Sequence, residues 1–173
     1  MKQHASVQKL ALAGLFSALA VSGSLISFPV LGSKCAPIQH MVNILSALLL
    51  GPWGAFAVAF TSSFLRNLLG LGSLLAFPGS MCGALVCGLI YQKTKSLPLT
   101  LLGEILGTGI LGGLLAYPTA VLLMGKSSAH LAITVYILPF LISTVAGSLL
   151  AGTLIFSLNR SGVLRQLGLQ ARH

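Results

Sequence analysis

Thr100-Leu-Leu-Gly-Glu-Ile-Leu-Gly-Thr-Gly-Ile-Leu-Gly-Gly-Leu-Leu-Ala116 decides how this chain is read. Glu104, inside that apolar run, is the only acidic side chain among 173 residues. The chain is 55% hydrophobic and 6% charged, whereas about a quarter of a soluble domain is charged. So few charges cannot dress a water-facing surface. The solvent of this fold is a bilayer, and the rare polar side chains within apolar segments are the functional candidates.

Outward from that run, the basic residues lie at segment ends rather than along one face. Ten Lys and Arg give a net charge of +9, which fits the positive flanks of membrane helices and not a nucleic-acid surface. Cys35, Cys82 and Cys87 form no CxxC pair and read as small apolar residues rather than a disulfide or metal framework. Residues 1–27 share features with a signal peptide, but the run Leu10 to Ile26 is long enough to span and reads as a retained first helix.

Gly, Pro and Lys punctuate six apolar segments, about 7–27, 38–50, 53–69, 73–91, 98–123 and 131–157. Unbroken apolar runs without period-2 alternation exclude a closed barrel. The expected fold is an all-α, six-helix transmembrane bundle with short second and third segments. It forms one integral domain over 1–173 and ends in a short basic tail, 158–173. The second segment rises only about 20 Å, less than the hydrocarbon core of about 30 Å. It and the third either cross as short shielded helices or dip in and return. Lys2, Lys9, Lys93, Lys95, Arg160, Arg165 and Arg172 fall on one side, with Lys34, Arg66 and Lys126 on the other. That asymmetry predicts a multi-pass cell-membrane protein with both termini cytoplasmic.

Depth then sorts the polar residues. Gln39, His40, Asn43, Arg66 and Asn67 belong to the outer half. So do Phe77-Pro78 and Tyr117-Pro118, which close two similar stretches forty positions apart, Leu71–Pro78 and Leu111–Pro118. Each proline is expected to bend its helix. Singly, these residues have plain explanations: Arg66 snorkels to lipid phosphates, and the asparagines join helices. Placed together at one depth, where each unpaired polar atom costs several kcal/mol, they argue for a shared cavity. Mixed donors and acceptors beside flat aromatic faces suit a small, mostly neutral heterocycle, and no carboxylate cluster is present for a metal. Glu104 is expected in the inner half, apart from His40. There it either couples to a partner or closes a pathway, or it links to Lys93, Lys95 or a neighbouring hydroxyl. In the first segment Gly14, Ala18 and Ser22 recur every four residues beside Ala13 and Ser17. This small-residue face serves either a partner helix or internal packing.

The stretch Lys34-Cys-Ala-Pro-Ile-Gln-His-Met-Val-Asn43, followed by Leu-Leu-Gly-Pro-Trp-Gly at 49–54, resembles a known family. Arg66–Gly70, Ala76–Ser80 and Gly103–Gly109 extend the match. The chain looks like ThiW, a substrate-binding S component of energy-coupling-factor (ECF) vitamin transporters. The resemblance implies a six-helix bundle with an outward-facing pocket. It also implies assembly with a membrane coupling subunit and two cytoplasmic ATPase subunits. The ligand it implies is hydroxyethylthiazole, the thiazole precursor of thiamine. It marks Gln39, His40, Asn43, Arg66 and Asn67 as pocket residues, to which depth adds Tyr117. It further implies a first-helix contact with the coupling subunit through an Ala-x-x-x-Ala pattern. Here the best matches are Ala13/Ser17 and Gly14/Ala18, a departure from that pattern.

Two other functions compete. A proton-coupled secondary transporter of a neutral heterocycle would rely on Glu104. A membrane enzyme would need several acids for divalent metals or a positioned base beside a nucleophile, and one Glu and no Gly-x-Ser-x-Gly do not supply these. No Gly-x-x-x-x-Gly-Lys-Ser/Thr occurs, so ATP is expected to be hydrolysed on another chain. No cofactor is expected.

Overall fold

The computed structural model describes residues 2–30, 33–126 and 134–161. Its first helix, α1, runs Lys2–Gly23. A two-stranded antiparallel ribbon follows, β1 (Phe28–Val30) and β2 (Ser33–Cys35), with Pro29 opposite Lys34. This ribbon lies in the connector expected between the first two segments.

The second and third apolar segments form one hydrogen-bonded element, α2 (Pro37–Leu68), interrupted at Gly51. Were α2 straight, Gln39 and Ser62 would stand about 35 Å apart. Instead, Gln39 Nε2 donates to Ser62 Oγ at 2.9 Å, and Arg66 Nη1 donates to Gln39 Oε1 at 3.1 Å. The helix therefore doubles back on itself. Gly51 takes φ 78° and ψ −178°, a region that favours glycine. Pro52 opens the returning arm where its missing N–H costs nothing. The arms rise about 21 and 26 Å at 1.5 Å per residue, short of the hydrocarbon thickness of about 30 Å. Among the described residues there are thus five helices rather than the expected six, because the Gly51 turn leaves two arms within one element.

Next comes α3 (Ala76–Thr94). Pro78 lies in its first turn, where a proline is tolerated, so the bend expected there is absent. The stretch read first in the sequence forms one helical run, Leu97–Met124. It comprises α4 (Leu97–Glu104), a π-helical segment (Ile105–Gly112) and α5 (Gly113–Met124), with Pro118 inside α5. The repeated aromatic–proline pair thus has two structural outcomes. The last helix is α6 (Ile137–Arg160). Residues 127–133 and the tail from 162 onward, with Arg165 and Arg172, lie outside the described residues.

α2 is the hub on which α1, α3 and α6 pack. Phe16 and Ala20 of α1 meet Val42 and Val58 from both arms of α2. A seam of Ala47, Ala55, Ala59, Ala84 and Cys87 lets α2 and α3 approach closely, the small-residue packing that joins helices in lipid. Large apolar side chains cover the outside: Leu10, Trp53, Leu122 and Leu149 are each more than 60% exposed. Three helices, Pro37–Leu68, Leu97–Met124 and Ile137–Arg160, are long and apolar enough to cross a membrane. This is an all-α membrane architecture, apart from the short ribbon.

Candidate functional site

The first turn of α2 sets the level of the site. The Ala36 N–H donates to Ser143 Oγ at 2.9 Å, and the Cys35 thiol donates to the Pro139 carbonyl at 3.3 Å. Ser143 lies about 9 Å along α6 from its start, so α2 begins well below the end of the bundle rather than at its rim. At its other end the Gly51 turn lies beside Tyr91 and Lys95, at the end where Leu97 starts the long run. Counted from there, Asn43 is about 12 Å up its arm and Glu104 about 10 Å up its own. The two groups are level.

Glu104 consequently joins the His40 group, and the expected separation by depth is overturned. Its Oε1 accepts from His40 Nδ1, Asn43 Nδ2 and Thr108 Oγ1, each at 3.0 Å. The neighbouring helix allows this because Gly83 has no side chain. A Cβ there would collide with Thr108 Oγ1 and stand 2.7 Å from Glu104 Oε2. The links proposed to Lys93 or Lys95 are not made; Lys95 Nζ instead sits over the Tyr91 ring at 4.9 Å. With Oε1 also taking hydrogen bonds from Asn43 and Thr108, the donor in the third contact is His40 Nδ1. A carboxylate behind an imidazole fixes its tautomer and orientation in this way.

A second chain of bonds meets the first. Arg66 donates to Gln39 Oε1, and Gln39 Nε2 donates to Ser62 Oγ and, at 3.4 Å, to Asn43 Oδ1. Asn43 Nδ2 also donates to the Ser80 carbonyl at 3.1 Å. Arg66 to Glu104 is thus a continuous buried network through Gln39 and Asn43. Arg66 is only 3% exposed, which rules out the snorkelling explanation. Its position comes from the end of α2, where Gly70 at φ 71° allows Leu71 N–H to donate to the Arg66 carbonyl at 2.8 Å and Gly70 N–H to donate to the Asn67 carbonyl at 3.1 Å. This Schellman pair ends the helix.

Above the network is a small cavity that opens at its mouth to the surface. Gln39 and His40 line it from one arm of α2, Arg66 from the other, Ser80 from α3, Thr108 from the π-helical segment and Phe140 from α6. Lys34 of β2 stands at its edge. Of the residues singled out in the sequence, Gln39, His40 and Arg66 line the cavity. Asn43 is fully buried beneath it and holds Glu104. Asn67 does not line it; its Nδ2 donates to the Ser63 and Ser73 carbonyls at 2.8 and 3.0 Å and ties down the turn after α2. Tyr117 packs against the cluster of Leu75, Ala116, Ala120, Tyr136 and Phe140, outside the cavity. Phe77 turns to Phe60, with ring centroids 5.8 Å apart.

Ser80, Thr108, Ser143 and Phe140 also line the cavity and were not among the pocket residues expected from the sequence. Thr108 was the most findable: it follows Glu104 by four positions, within reach on one helical face. On α1, Gly14 and Ala18 face outward, whereas Ser17 is buried with its Oγ donating to the Ala13 carbonyl at 2.9 Å. Ala13 packs inward beside Phe16.

A family model described as "Thiamine-precursor transporter protein (ThiW)" matches residues 10–161. That span contains every residue of the cavity and its supporting network. A comparison with curated proteins gives no match.

Proposed function

The chain belongs to the thiamine-precursor transporter family ThiW, and we propose that it is the substrate-capturing S component of an ECF importer. Its ligand is a small heterocyclic thiamine precursor, with hydroxyethylthiazole the parent compound. The observation carrying this reading is the buried network under the cavity: Glu104 orients His40, and Gln39 orients Arg66. Such pre-ordered polar groups in an apolar setting favour a ligand with few hydrogen-bonding atoms. A thiazole nitrogen accepts one bond, and the hydroxyethyl arm both donates and accepts. Phe140 offers a face for the ring.

In this reading both termini are cytoplasmic, and the two arms of α2 count as separate short rods in a six-rod bundle. The outward stripe of Gly14 and Ala18 meets the coupling subunit, two ATPase subunits supply the energy, and the chain itself performs no chemistry. Below the cavity, Ile44, Leu48, Tyr91, Leu97, Ala151 and Ile155 pack into a buried cluster. That plug favours release by reorientation of the bundle over passage straight through it.

Titration of the purified chain, without partners, with hydroxyethylthiazole tests the assignment. Saturable binding at one site per chain is expected for it or for a derivative of its hydroxyethyl arm, and no saturable binding of either would refute the assignment. A second reading, proton-coupled transport, draws support from Glu104 Oε2, which is buried and has no hydrogen-bond partner among the described residues. Uptake by vesicles holding this chain alone and driven by a proton gradient would favour it; uptake that requires the ATPase subunits favours the S component.

A further inference from the structure

Two cations, Arg66 and Lys34, line the cavity, and neither has a carboxylate partner among the described residues. Arg66 is buried, spends one N–H on the neutral Gln39 amide, and has an Nε with no partner among the described residues. Lys34 reaches only the Gly70 and Leu71 carbonyls, both at 3.5 Å. The sole acidic side chain of the protein is Glu104, and its contacts are His40, Asn43 and Thr108, not either of these cations. A buried guanidinium that no carboxylate neutralises is costly. Its planar fork of donors matches a phosphate or carboxylate oxygen pair. Ser33 and Ser73 line the same end with hydroxyl-bearing side chains.

We infer that the ligand itself brings the missing negative charge. The outer end of this cavity is a phosphate-monoester subsite, and the preferred ligand is the phosphorylated form of the hydroxyethyl arm rather than the free alcohol. The inference rests on the proposed function, since it takes the same heterocycle in the same cavity. In the bound state Arg66 and Lys34 hold the phosphate oxygens, while the ring lies toward His40 and Phe140. The neutral alcohol would occupy the ring position and leave Arg66 uncompensated.

The test compares hydroxyethylthiazole with its phosphate monoester by calorimetric titration of the purified, full-length chain. The ester is expected to bind about tenfold or more tightly than the alcohol, the scale of one or two charge-assisted hydrogen bonds. Lys34→Ala, at an exposed position, should bring the ester-to-alcohol affinity ratio toward one, and Arg66→Gln should do so more completely. If the alcohol binds and the ester binds no better, the phosphate subsite is wrong while the S-component reading stands. If the ratio is unchanged in Lys34→Ala and in folded Arg66→Gln, the subsite is also wrong. If neither compound binds, both the subsite and the proposed function fall.

Discussion

The two ends of this bundle are built from the same rods and filled in opposite ways. On the first arm of α2, Gln39, His40 and Asn43 serve the cavity, and Ile44 and Leu48 directly below them close the inner end against Tyr91, Leu97, Ala151 and Ile155. About one helical turn separates a hydrogen-bonded floor from an apolar plug. The polar end carries specificity because each of its groups must be satisfied in hydrocarbon. The apolar end carries packing.

Removing the centre of the polar end should break this contrast most severely. Glu104→Ala leaves His40, Asn43 and Thr108 without their shared acceptor. It should cost about 3–5 kcal/mol of stability and abolish ligand binding, seen by thermal melting in detergent and by titration. A variant that melts normally and binds normally would mean the network is ornamental. Ile44→Ala at the plug should cost a comparable share of stability, about 2–5 kcal/mol, while the affinity of the folded fraction stays within about threefold. Affinity falling in proportion to stability would erase the distinction between the two ends.

A finer comparison sets two aromatic residues of one cluster against each other. Phe140 lines the cavity and Tyr117 does not. Phe140→Ala should weaken binding about tenfold, the scale of a lost stacking face. Tyr117→Phe should change it by less than about twofold. Equal losses would move the ligand toward the α5 side and restore the sequence-based placement of Tyr117.

Much of this was legible in the sequence, and the failures share a cause. Apolar runs gave the helices, and Gly51-Pro52 gave the break between the second and third segments, because glycine and proline act locally. That the two arms lie antiparallel depends on Gln39 meeting Ser62 and Arg66, a contact across more than twenty residues that no local pattern encodes. Glu104 and the His40 group were set apart because the depth of the His40 group was counted from an outer rim that α2 does not reach: Ser143 holds Ala36 below it. Counting from the Gly51 turn puts Asn43 and Glu104 level. Tyr117, grouped with Phe77 by likeness, lies outside the cavity lining, because Pro78 opens one helix and Pro118 lies inside another. Gln39, His40 and Arg66, singled out in the sequence, line the cavity; an isolated polar group in an apolar run signals itself.

The most direct test of the proposed outward-opening polar cavity above a buried apolar cluster is cysteine labelling. Ser80→Cys and Leu48→Cys are placed singly in a background in which Cys35, Cys82 and Cys87 are replaced. Each protein, in oriented membranes, is then treated from the outside with a membrane-impermeant thiol reagent, with and without hydroxyethylthiazole. The account predicts labelling at position 80 that the ligand suppresses, and none at position 48. Equal labelling at both positions, or labelling at position 80 that the ligand leaves untouched, would contradict it.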